Sequence, residues 1–141
     1  MATRDRTADL HLRKASNALV EADMLYGSGF FDGAISRSSA CCIHVVKAAI
    51  TLQGRPSDPT DLLDCVSAWV EDGRLPRGLE LFYKAAVLLR DEADEGAFPA
   101  QQDRAEKALD AAQRFSEMVR EAIGATVSPS SVNVIKPWIA G

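Results

Sequence analysis

Apolar residues recur every three or four positions along nearly the whole chain, and nowhere does the pattern settle into the strict alternation of a half-buried strand. A chain with this single period can bury its apolar atoms only by packing amphipathic helices on one another, so the predicted fold class is all-α. The first helix is predicted over about 7–26, with Ala8, Leu12, Ala15, Leu19, Ala22 and Met24 or Leu25 as its inner stripe, and "GSG" at 27–29 ends it. The second covers 31–52 and carries Ala34, Ile35, Ala40, Cys41, Val45, Ala48, Ala49 and Leu52 before Gly54 and Pro56. A short third helix starts in "SDPTD", where Ser57 or Asp58 can cap and Pro59 suits the first turn; Leu62, Leu63, Val66, Trp69 and Val70 follow until "EDGRLP". The fourth is predicted over 76–95, with Leu79, Phe82, Tyr83, Ala86, Leu89 and Ala93 inward. The fifth runs from Pro99 to Gly124 and carries Ala105, Leu109, Ala112, Phe115, Met118, Val119 and Ile123.

Short links force successive helices to run antiparallel, which predicts an up-and-down four-helix bundle with an additional short helix over residues 1–127. The remaining stretch, 128–141, breaks the period with two prolines yet holds Val132, Val134, Ile135, Trp138 and Ile139. That is too apolar for a solvated linker, so the tail is expected to dock on the bundle or on a second subunit. At 141 residues, 47% hydrophobic and 26% charged, the chain can bury a core without covalent staples and reads as one globular domain. No apolar run reaches the ~18 residues of a membrane span, and "MATRDRTADLHLRK" lacks the apolar stretch of a secretory signal, so no membrane association and a cytoplasmic location are expected. Three cysteines, two of them adjacent, make a poor disulfide framework and are read as reduced thiols. A net charge of −4 argues against a protein that coats nucleic acid indiscriminately, while leaving room for a local basic cleft.

The residues with chemistry concentrate in "SRSSACCIHVVKAA", 36–49. Arg37, Cys41 and His44 fall on one helix face, and Cys42 points about a quarter-turn away. The adjacent cysteines therefore cannot easily share a metal, and the other ligand types, Cys65 and His11, stand alone in other helices, His11 near the N-terminus. No metal site and no cofactor are expected, and the thiols are read as small residues that let helices approach closely. A Cys41/His44 nucleophile pair lacks an orienting carboxylate and an oxyanion loop. Arg37 and His44, two helical turns apart, can grip one phosphate or simply edge the core. Arg90 and Asp94 sit one turn apart in "LLRDEADEG"; with Asp32 and Asp91 they form either a solvated charged face or, through Arg90, part of a cleft with Arg37. Phosphate-binding glycine loops, HExxH, CxxC and GxSxG are all absent.

"GFFDGAISRSSACCIHVVKAAITLQG" resembles the second helix of HEPN domains (higher eukaryotes and prokaryotes nucleotide-binding), through Gly29, Phe31, Asp32, Ala34, Arg37, His44, Lys47, Ala48 and Gly54. "LLRDEADEG" and "ALDAAQRFSEMV" are similar to later segments of that family, so the likeness spans about residues 8–122. It implies a five-helix bundle, often dimeric, encoded beside a minimal nucleotidyltransferase that would be its partner, with nucleotide or RNA bound through Arg37, Arg90, Asp32 and Asp94. Some members are toxin ribonucleases of toxin-antitoxin pairs that use an Arg, four to six residues, then a His. After Arg90 those positions hold Glu95, Gly96 and Ala97, whereas Arg37 and His44 satisfy the spacing on the earlier helix. In the ribonuclease alternative His44 serves as acid or base and Arg37 stabilises phosphorane charge. The aromatic residues usual after the family's Arg are replaced by Ser38, Ser39, Cys41 and Cys42, which makes a smaller and more polar cleft.

Overall fold

The structure, a computed structural model, describes residues 3–52, 62–73, 77–95 and 101–124. They form five α-helices: α1 (Thr3–Gly27), α2 (Phe31–Leu52), α3 (Leu62–Glu71), α4 (Arg77–Glu95) and α5 (Gln102–Ile123), with no strand among them. The all-α expectation is met, and α2 has the predicted bounds. Helix α1 begins a turn earlier than its apolar stripe suggests, because charged residues extend a helix well without contributing to a stripe. The proposed cap at Ser57 or Asp58, the breakers at 54–58 and 96–99, and the tail from 128 with its domain boundary all lie outside the described residues.

The turn between α1 and α2 follows from its glycines. Gly29 has φ 82°, a left-handed conformation that costs a residue without Cβ almost nothing. That conformation lets Phe30 N–H donate to Leu25 O at 2.8 Å and Gly29 N–H to Tyr26 O at 3.1 Å, the paired bonds of a Schellman cap. Gly73, with φ 75°, closes α3 in a related way as its N–H reaches Val70 O at 3.1 Å.

Helix α2 is the axis of the molecule. It packs against α1, α4, α5 and, more lightly, α3. Its inward residues are therefore spread around most of its circumference: Ala34, Ile35, Ser38, Ser39, Cys41, Cys42, Val45, Val46, Ala48, Ala49 and Ile50 are all buried. Most of these side chains are small, and so are Ala8, Ala15, Ala18 and Ala22 on α1, which lets the two backbones lie close together. Tyr26 meets Phe31, Glu21 meets Arg37 and His11 meets His44, a ladder that runs antiparallel. On the other flank Ser39 Oγ donates to Ala86 O and ties α2 to α4. Phe115 of α5 is fully buried against Tyr83 of α4, ring centroids 5.5 Å apart. No described helix is long and apolar enough to cross a membrane.

Candidate functional site

The antiparallel register of α1 and α2 brings together residues that lie far apart in sequence. His11 and His44 meet through their Nδ1 atoms at 3.2 Å, one donating to the other. Their ring centroids are 5.4 Å apart, close to that N···N distance plus the two ring radii, so the rings meet head-on at their edges rather than face to face. This corrects the expectation that His11 stands alone: it lies within α1, and the helix pairing supplies the partner that sequence position conceals.

Charge around the pair is one-sided. Lys14 of α1 and Lys47 of α2 lower the protonation tendency of both rings, adding to the larger effect of burial. His44, which also feels His11 and Arg37, is pushed down to about 4. At neutral pH the pair is therefore uncharged, with one Nδ1–H···Nδ1 hydrogen bond holding it.

Arg37 lies two turns before His44 and points to α1. Its Nη2 pairs with Glu21 Oε1 at 3.4 Å, with the two side chains 40% and 54% exposed. Such an exposed pair contributes little to stability. Its Nε is buried with no acceptor among the described residues, so the exposed part of the guanidinium that a ligand can reach is the Nη end. Arg37, Lys14, the histidine pair and Lys47 thus follow one another along the α1–α2 seam.

The remaining candidates are distributed elsewhere. Arg90 lies on α4, one turn beyond the Ala86 that accepts from Ser39, with its charge near Tyr83. Cys42 in turn acts on Tyr83, and Ser39 marks the face of α2 opposite Arg37. Arg37 and Arg90 consequently sit on different flanks of α2. Asp32 is half-buried in the first turn of α2, where a carboxylate suits the helix dipole. Asp94 belongs to α4, and its side chain lies outside the described set.

Cys41 turns away from His44. It is fully buried beside Ser116 and Arg120 of α5, and burial pushes its thiol up to about 12. Burial, and then Cys41 itself, raise Cys42 well above the usual thiol range. Neither sulfur is a nucleophile at neutral pH. Among the described residues no group of three or more His, Cys, Asp or Glu side chains converges as a metal site would need.

Arg120 was not singled out by sequence. It is 8% exposed; Nη2 donates to Ser16 Oγ at 2.8 Å and to Leu12 O at 2.9 Å, and Nε to Ser116 Oγ at 3.1 Å. The available signal was its place four residues after Ser116 and eight after Ala112, on the apolar stripe of α5 where a solvated arginine does not belong.

Comparison with known proteins gives one family. A model described as the HEPN domain matches residues 8–122. No curated protein matches the chain.

Proposed function

Because the chain belongs to the HEPN domain family, whose match covers most of its length and supports a nucleotide- or RNA-related function in general, we propose that it binds phosphate along the α1–α2 seam without cutting RNA. The observation that carries this reading is Arg37: a half-exposed guanidinium held by only a weak pair with Glu21, at the head of a seam that continues through Lys14 and Lys47. A phosphate oxygen can displace the Glu21 carboxylate and gain a forked, charge-assisted contact. Arg90, on the other flank of α2, is a cation for a partner or for a more distant part of the ligand; Asp32 and Asp94 enter this reading on the family likeness alone. The wider proposal is an up-and-down bundle of four long helices, α3 being the added short one, that works as a homodimer beside a minimal nucleotidyltransferase. The family likeness supports it, as do Leu81 and Leu88, two turns apart on α4 and 69% and 62% exposed, a surface suited to a second copy.

A second reading, the toxin-type metal-independent ribonuclease, gains from the structure a second imidazole beside Arg37. The state of that pair weighs against it. In the free protein a ring held near 4 is a weak base at neutral pH and has no extra proton to give, and each Nδ1 is engaged by the other. The two readings separate in an RNA-cleavage assay of wild type and His44→Ala, expressed without partner, over about pH 6–8 where an unperturbed imidazole titrates. RNA is expected to stay intact with both proteins. Cleavage by wild type that vanishes in His44→Ala would replace the binding reading with the ribonuclease.

A further inference from the structure

Two histidines facing each other through Nδ1 make an unusual element between two helices otherwise joined by small buried side chains and flanked by cations, and neither the fold nor simple phosphate binding requires them. Each ring has one nitrogen in the contact and its Nε2 turned away from it. In the neutral pair the ring that donates through Nδ1–H has a bare Nε2, and the ring that accepts has an Nε2–H. One outward nitrogen is thus a donor and the other a lone pair that repels anions. Adding one proton from solvent to the bare Nε2 keeps the Nδ1–H···Nδ1 hydrogen bond and makes both outward nitrogens donors, with a charge of +1 on the pair. A second proton would place hydrogens on both Nδ1 atoms at a separation of 3.2 Å, so uptake stops at one.

We propose that the α1–α2 seam takes an RNA phosphodiester chain, and that the His11–His44 pair takes up one proton as the chain binds, so that both Nε2–H groups face phosphate. This rests on the phosphate reading given above and adds the proton and the type of ligand. The extended chain is favoured because the row from Arg37 through the histidine pair to Lys47 covers ten residues of α2, roughly 15 Å, more than one phosphate spans.

The charges around the rings favour the coupling. Those acting on them are Lys14 from α1 and Arg37 and Lys47 from α2, all cationic. Nearby carboxylates are engaged elsewhere, Asp9 with Arg13 at 3.2 Å and Glu21 with Arg37. From α5, Arg120 is turned to Leu12 O and Ser16. From α4, Tyr83 lies near Cys42 and Arg90 acts on Tyr83, and the charged side chains described on α3, Asp64 and Glu71, are exposed. Burial first, and then these cations of α1 and α2, keep the free pair neutral. Phosphates laid along the row offset that field and favour the imidazolium.

The test is calorimetric titration of the full chain with a short oligouridylate lacking terminal phosphates, so that nothing on the probe titrates near neutrality. Titrations at pH 6.5 in buffers of different ionisation enthalpy count the protons exchanged. The expected result is net uptake approaching one proton per bound chain, with affinity rising by up to about tenfold per pH unit as pH falls from about 7.5 to 6. His11→Asn and His44→Asn, checked for helicity, are expected to bind with little pH dependence. Binding by wild type with no proton uptake, or an unchanged pH dependence in both folded variants, overturns the coupling and leaves the phosphate reading in place. No binding by wild type at any of these pH values overturns both.

Discussion

Replacing Arg120 by alanine is expected to destabilise the protein by about 3 kcal/mol, a fall in melting temperature of about 10 °C for a chain of this size. The side chain is buried and serves as a three-way tie: it joins α5 to the α1 backbone at Leu12 and to Ser16, and braces itself on Ser116 in its own helix. Truncation removes these three hydrogen bonds from a dry site and opens a cavity beside Cys41. Methionine of similar length fills the cavity and removes a buried charge whose Nη1 has no acceptor among the described residues, so Arg120→Met is expected to cost less, about 1–2 kcal/mol. Urea denaturation of both variants checks this. An alanine variant within about 0.5 kcal/mol of wild type would show that Arg120 is not a structural tie.

The second large effect is on acid stability. Below the ordinary histidine value of 6.5 an unfolded His44 is protonated, whereas in the fold it stays neutral down to about 4, chiefly through burial. Over that window the unfolded chain binds more protons than the native one, so stability rises with pH and is lost as pH falls from 6.5 towards 4. His11 is shifted in the same direction. The ring is only half-buried and solvent screens part of the effect, which leaves a loss of about 1–2 kcal/mol attributable to the pair. Carboxylates titrate at the lower end of the same range, so the informative quantity is the difference between wild type and His44→Asn. Denaturant unfolding from pH 7 to 4.5 is expected to show a flatter pH dependence in the variant. Parallel curves would mean that the pair is already protonated in the native state.

What the sequence made legible follows from what each signal depends on. Helix existence depends on local spacing, and the stripe from Ala8 to Ala22 or from Ala105 to Val119 is complete within its own segment. The turn at Gly29 is equally local, since only a residue tolerant of positive φ can hold the Schellman cap there. The burial of Cys41 and Cys42 is legible for the same reason, since their position on α2 within its apolar spacing is local. The His11–His44 contact depends on the register between two helices, a quantity set by close packing of alanines along the whole seam and not by any single residue. Arg37 with Glu21 and Arg120 with Ser16 share that property. Arg120 carried a further ambiguity, because an arginine near the end of a helix is more often solvated than buried. Its fit to the apolar stripe of α5 was the clue.

The proposal of phosphate binding draws on family membership and on the seam geometry, and Arg37 is the residue on which it stands. The direct measurement is oligouridylate affinity of wild type and Arg37→Ala across about 50 to 200 mM salt at fixed pH. Affinity of wild type is expected to fall with salt as released counterions require, and Arg37→Ala to bind about three- to tenfold more weakly at low salt with a log–log slope shallower by about 0.7, the loss of one phosphate contact on a single strand. An Arg37→Ala protein that matches wild type in affinity and slope would contradict the account.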